Sequence, residues 1–270
     1  MTNSRFAIAL VLILCFLAGC QTTSDVVNEQ RELSEENQNY LEAQSALDGL
    51  TERFKQAKTE NLEYYAAATM KAAQRKLKTA NEKFLTMRFD SSRAKRRLVE
   101  KIQSSIDDAN QLLDTASRLK AAAEATLGES FAQIKRLEDL ETPKLFPSDY
   151  RDVKRVLDGL VKNIADGRLS KAQDRQADLL QRLNALEIAT VKKVMLTNAN
   201  AEIDALKDLR ADRYVPLSLQ KTVAAKNAAE AIIASSPRDQ SAIGAAVSSV
   251  NYEISHTESL ILEVKNLLAV

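Results

Sequence analysis

Residues 94–137 read AKRRLVEKIQSSIDDANQLLDTASRLKAAAEATLGESFAQIKRL, and the spacing of their apolar positions decides the fold class. Ala94, Leu98, Ile102, Ile106, Ala109, Leu113 and Ala116 recur at intervals of three and four. Leu119, Ala123, Leu127, Phe131, Ile134 and Leu137 carry the series on. Such spacing follows one face of a helix with about 3.6 residues per turn. The polar run Asp90-Ser91-Ser92 in front of it offers N-caps.

Working outward, the same period appears on both sides. Met70, Ala73, Leu77, Ala80, Phe84 and Met87 mark a helix before the break. Earlier still, Val26, Leu33, Tyr40, Leu47 and Phe54 recur every seven residues, one edge of a coiled-coil seam. Their companions three residues on are Glu29, Glu36, Ala43, Leu50 and Ala57, so only the second half of this first helix has a full apolar stripe. Downstream, Thr142-Pro143 and Phe146-Pro147 should stop the long helix, with Ser148 or Asp149 capping the next. A short helix then carries Val153, Leu157, Leu160 and Ile164 up to Asp166-Gly167, where Gly167 suits a left-handed C-cap. A second long helix is expected from Ser170 to a stop near Tyr214-Val215-Pro216. A last short helix follows, and then a final helix capped by Ser236 with Pro237 in its first turn.

Composition agrees with an all-α chain. There is no Trp, 6 Gly and 4 Pro, aromatics make up 5%, and Ala, Leu, Lys, Glu and Gln abound. No run of alternating β-branched residues argues for a strand. The pieces read as one unit used three times: a turn, a short helix, a polar turn and a longer helix. The expected organisation is an acidic first helix over 26–60, then helical hairpins over 62–140, 143–213 and 214–270. On this reading Ala73, Leu77 and Ala80 correspond to Val153, Leu157 and Leu160, and to Ala224, Ala228 and Ala231. A short helix of ~20 residues spans ~30 Å and cannot cover one of ~45 residues at ~68 Å. The expected architecture is therefore an elongated, staggered array of antiparallel hairpins with about seven helices and no strands.

The N-terminus has its own logic. Arg5 precedes the apolar run FAIALVLILCFL at 6–17, and Leu17-Ala18-Gly19-Cys20 follows. Twelve apolar residues fall short of the ~20 that a membrane-spanning helix needs, and fit a signal peptide instead. The Leu-Ala-Gly-Cys run resembles the bacterial lipobox. That resemblance implies removal of residues 1–19, covalent lipid on the Cys20 thiol and a short tether over 20–25. It also implies that Gln21, where an aspartate would retain the protein at the inner membrane, sends it to the outer membrane; a periplasm-facing body is the preferred expectation, with surface exposure left open. Each buried CH₂ of the acyl chains contributes ~0.8 kcal/mol to anchoring. Cys15 would leave with the signal peptide, and a lipidated Cys20 would leave no thiol for disulfides or metals. The Ala/Leu spacing and the Pro- and Tyr-bearing turns are also similar to helical-repeat domains of uncharacterised envelope lipoproteins. Some of those precede an OmpA-like domain, and no such domain is read here.

No nucleotide-loop, nucleophile-elbow or zincin motif occurs. His256 is the only histidine, and a di-metal bundle site would require two. Neither enzyme activity, a metal nor a cofactor beyond the lipid is expected. Charge is the exception. Residues 25–50 carry seven acids and one base, whereas residues 71–101 carry eleven bases and three acids, a net of +8. Arg75, Lys76, Arg93, Lys95, Arg96 and Arg97 are the candidate anion- or partner-binding residues in that stretch. The expected role is a membrane-anchored scaffold, spacer or assembly adaptor that meets an envelope protein or the cell wall. The alternative is a binding module for peptidoglycan or anionic polysaccharide. Nucleic acid is not an expected partner, because no aromatic platform interleaves the basic residues. The apolar stripes leave room for pairing between chains.

Overall fold

The computed structural model describes residues 30, 31, 34, 37–87 and 92–268, and the side chains of 92 and 93 lie outside the description. The signal segment, Cys20, the tether, Val26, Glu29, Leu33 and Glu36, and the Asp90-Ser91 part of the expected cap all fall outside the described residues. Every regular element among those described is a helix, and none of them is a strand. α1 covers 37–59, and α2 (Leu62–Thr86) and α3 (Ser92–Asp139) follow. Then come α4 (Thr142–Leu145), α5 (Pro147–Ala165), α6 (Leu169–Asp208), α7 (Ala211–Tyr214), α8 (Pro216–Ser235) and α9 (Gln240–Leu268). The count exceeds the expected seven because α4 and α7 are single-turn helices of four residues each.

Those single turns belong to a backbone device used three times. Asn61, Glu141 and Arg210 take left-handed torsions, with φ of 56°, 57° and 67°. Each N–H bonds back three residues, to Lys58, Glu138 and Lys207. Each carbonyl then accepts from the residue three further on, Tyr64, Lys144 and Arg213. One helical turn later the chain leaves helical torsions again, at Ala66 (φ −148°, ψ 49°), Phe146 (−136°, 64°) and Val215 (−141°, 55°). The N–H of Phe146 bonds to the Thr142 carbonyl and its own carbonyl accepts from Tyr150; Val215 does the same with Ala211 and Leu219. Backbone groups orphaned at the helix ends are thus satisfied by backbone alone. Pro147 and Pro216 explain two of the three breaks, since the residue before a proline is pushed out of the α region. The residue after each left-handed one, Leu62, Thr142 or Ala211, is buried.

An aromatic ring and a lysine attend each turn. Lys120 Nζ lies 6.0 Å from the Tyr65 ring centroid, Lys193 Nζ 4.9 Å from that of Phe146 and Lys265 Nζ 5.6 Å from that of Tyr214. Each lysine comes from a later long helix, α3, α6 or α9, and such contacts are worth about 0.5–1 kcal/mol at exposed sites.

The chain divides into two compact units, with the division after Ala122, inside α3. In the first, α1, α2 and the early part of α3 share one core. Ala43, Leu47, Leu50 and Ala57 meet Met70, Ala73 and Ala80, together with Ile102, Ile106, Ala109 and Leu113. Tyr40 stacks on Phe84 at 4.9 Å between ring centroids. Arg53 ties α1 to α3 through Asn110 Oδ1 at 2.7 Å and Asp114 Oδ1 at 2.5 Å.

In the second unit α5 packs on α6, and α8 packs on α9 while both touch α6. The buried positions of α6 (Ala172, Leu179, Leu183, Leu186 and Thr190) recur in α9 as Ile243, Val250, Ile254, Thr257 and Ile261, at a constant offset of 71 residues. The short helices match as well: Val153 and Leu160 of α5 are buried, and so are Thr222 and Ala229 of α8, 69 residues later. This corrects the expected correspondence, because Ala224 and Ala228 are exposed. Thr222 bonds to Thr257 Oγ1 (2.9 Å) and Ser218 to the same atom (2.7 Å), so buried hydroxyls satisfy one another where α5 and α6 use aliphatic groups.

Other boundaries also move. α3 ends at Asp139 and α6 at Asp208, before the stops expected at Thr142-Pro143 and Tyr214-Pro216, because the left-handed residue ends the helix ahead of the proline. α5 is entered through Phe146 and Pro147 rather than capped by Ser148 or Asp149. α9 starts at Gln240, not at Pro237: Asp239 Oδ1 accepts the Ala242 N–H at 2.9 Å and is the true cap. Gly167 does take the left-handed position at the end of α5 (φ 76°), where the Arg168 N–H reaches back to the Asn163 carbonyl.

Two predictions follow from this geometry. A left-handed residue with a Cβ costs about 1–2 kcal/mol, and Gly escapes that cost at some loss of unfolded-state restriction. Glu141→Gly and Arg210→Gly are expected to raise stability by about 0.5–1 kcal/mol in urea titration. Asn61→Gly should gain less, because Asn tolerates this region. Glu141→Val should lose at least about 1 kcal/mol. The second concerns Tyr150 of α5, which donates to Glu138 Oε1 at 2.5 Å. Burial first, then that hydrogen bond and the carboxylate charge, push the phenol above the ordinary tyrosine value of 10.0. A raised folded pKa gives a stabilisation that is fully present below the unfolded value and is lost progressively as pH rises from there through the folded one. Wild type should therefore lose stability more steeply than Tyr150→Phe between about pH 10 and 12, measured by denaturant midpoint.

Candidate functional site

Four bases of the basic stretch, Arg75, Lys76, Lys83 and Lys101, line the facing sides of α2 and early α3, within the first unit. A shallow groove of ≈ 420 Å³ runs between them, lined by Arg75, Lys76, Lys83, Lys101, Ser104 and Ser105, with Thr79, Glu100 and Asp108 alongside. Residues 75–83 of α2 and 100–108 of α3 each cover about 12 Å at 1.5 Å per residue.

The cations in the groove are not equivalent. Lys76 Nζ is 2.7 Å from Asp108 Oδ2, an exposed pair that neutralises it. Lys83 Nζ reaches the Lys101 carbonyl at 3.4 Å and Ser105 Oγ at 3.2 Å, two long contacts. Arg75 and Lys101 make no side-chain hydrogen bond or ion pair among the described residues, and neither does Glu100. Lys78, next in sequence, pairs along its own helix with Glu82 at 3.8 Å.

Of the six residues singled out from the sequence, Arg75 and Lys76 line the groove. Lys95, half-buried, and Arg96, exposed, sit on the opening turns of α3 and take part in interactions there. Arg97 is exposed with no side-chain partner among the described residues. The Arg93 side chain and the lipidation candidate Cys20 lie outside the description. The groove instead recruits Lys83 and Lys101, which charge counting had placed in the stretch without ranking.

A second polar cluster, in the second unit, was not anticipated. Glu187 of α6 is 1% exposed, yet carries a carboxylate. Arg238, from the turn between α8 and α9, donates Nε to Oε1 at 3.1 Å and Nη2 to Oε2 at 2.9 Å. Gln133 of α3 adds Nε2 to Oε2 at 3.3 Å, and Arg136 Nε stands 3.7 Å from Oε1. The hydrogen bond to Glu187 leads the causes that hold the Arg238 guanidinium above its usual pKa. A carboxylate gripped from both sides ties three segments together. Glu187 falls on the stripe Leu183, Glu187, Val191, and a charge on an apolar stripe is the one clue the sequence offers.

His256 is exposed and stacks on Tyr252 at 6.2 Å between centroids. Among the described residues no group of three or more His, Cys, Asp or Glu could hold a metal. No protein-family model, curated protein or solved structure matches the chain.

The Glu187 cluster predicts an asymmetry between ion pairs. Arg238→Ala strands a buried carboxylate and should cost about 2 kcal/mol, below the 3–5 kcal/mol of fully buried pairs because the arginine is half exposed. Arg155→Ala, which breaks the exposed 3.0 Å pair with Asp152, should cost at most about 0.5 kcal/mol. Thermal or urea unfolding of the two variants measures both.

Proposed function

We propose that the chain is a lipid-anchored outer-membrane protein of the bacterial envelope, facing the periplasm, whose helical body acts as a scaffold, spacer or assembly adaptor. The observation that carries this reading is the order of Arg5, the apolar run at 6–17 and Leu17-Ala18-Gly19-Cys20. Several acyl chains on one residue give stable anchoring where a single chain is only marginal, so one end of the body stays at the bilayer. No described helix is long and apolar enough to cross a membrane, and the anchor gives the chain a membrane attachment without one.

The finer architecture proposed is an array of antiparallel helical hairpins, one per left-handed turn, presenting long polar faces for docking envelope proteins or the cell wall. The action is geometric rather than catalytic. A second reading, a binding module for peptidoglycan or anionic polysaccharide, is favoured by one observation, the α2–α3 groove with cations left over after internal pairing.

The test is metabolic labelling with a fatty-acid analogue in cells expressing wild type or Cys20→Ala, followed by separation of inner and outer membranes. Label in the outer-membrane fraction that vanishes with Cys20→Ala is the expected result. An unlabelled, soluble wild-type protein would overturn the reading.

A further inference from the structure

We infer that the groove between α2 and α3 binds a segment of carboxylate-bearing polysaccharide, with Arg75, Lys83 and Lys101 taking the carboxylates. The inference deepens the second reading above and rests on it for the choice of an envelope glycan.

The charges decide the ligand class. After Lys76 is cancelled by Asp108, Arg75, Lys83 and Lys101 face one unpaired acid, Glu100, which leaves a net of about +2. That is enough to hold carboxylates and too little to favour a dense run of phosphates. Lys83 is engaged only by long contacts to Ser105 and the Lys101 carbonyl, so a ligand carboxylate can replace them without breaking an ion pair. Arg75 presents a planar fork suited to two-pronged carboxylate binding. Thr79 and Ser104 stand beside the cations, and Glu100 and Asp108 offer acceptors for ligand hydroxyls. Such acceptors repel any anionic group, but a chain that alternates carboxylates with hydroxyls can set its hydroxyl donors against them and its carboxylates against the cations. The groove is open and shallow, and about 12 Å long on each helix, so the ligand lies along it rather than inside it.

The test uses the full chain in detergent micelles and an oligomer of galacturonic acid as probe, read by calorimetry or fluorescence anisotropy. Dextran serves as the uncharged comparison, with inorganic phosphate and phosphatidylglycerol vesicles as the phosphate-bearing ones. Saturable binding of the uronate that weakens as salt rises is expected, with no binding of dextran. Arg75→Gln and Lys101→Gln should each weaken it about tenfold, the loss of one charge-assisted hydrogen bond. Lys101→Arg should retain it, and Arg175→Gln on α6 should leave it unchanged. All three positions are exposed, so unchanged helicity and melting confirm that each of the four variants folds. Equal affinity in the groove variants, preference for phosphate or the vesicles, or no binding to any probe would each overturn the inference. None of these outcomes bears on the lipid anchor, which the labelling experiment decides separately.

Discussion

The fold depends on a single backbone constraint, a residue held in left-handed torsions at the end of a long helix. Asn61, Glu141 and Arg210 each end one helix and aim the chain into a four-residue turn, and a second non-helical residue then opens the next helix. Two residues outside the α region, five apart, close the local hydrogen-bond ledger with backbone alone, so no side-chain cap is needed. Because the turn is the same each time, helices leaving it present equivalent faces. The constant offset between the buried positions of α6 and α9 is the packing consequence. Glu and Arg pay a torsional cost there that Gly would not, and the buried neighbour and the lysine over the ring help to hold the geometry.

The two units use polar chemistry in opposite ways. In the second, the carboxylate of Glu187 is sealed between Arg238 and Gln133, and the Ser218, Thr222 and Thr257 hydroxyls bond among themselves; these groups specify how helices meet. In the first, cations on α2 and α3 outnumber their acidic neighbours and stay at the surface. A scaffold needs the former for a defined shape. An exposed groove with charges left over is what turns such a shape towards a ligand, and it does so on rigid helices rather than a loop.

Much of this was legible in the sequence. The 3–4 spacing over 94–137 fixed the helix, because burial of one face demands it. The left-handed turns were not legible at the right residues, since Glu141 and Arg210 carry none of the Gly or Asn preference that marks such a position; Pro143 and Pro216 drew attention a few residues downstream. The register of α8 was missed for a different reason. Val223, Ala224, Ala225, Ala228, Ala229 and Ile232 spread apolar character around the whole helix, so the period does not choose a face, while the buried Thr222 reads as polar. The basic stretch was plain from counting charges. Which of its members converge depends on the pairing of α2 with α3, and that pairing spends Lys76 on Asp108 and brings in Lys101. The Glu187 and Arg238 contact joins residues 51 apart, so the sequence marks Glu187 only as a charge on an apolar stripe and does not mark its partner.

The account stands on the three left-handed residues, and their torsions can be measured in solution. Backbone NMR of the protein should give positive φ at Asn61, Glu141 and Arg210, seen as a strong intraresidue contact between the amide and α protons. Helical shifts should flank each one. Helical torsions running unbroken through any of the three would contradict the account, because the following helix would then leave in another direction and the shared packing register could not arise.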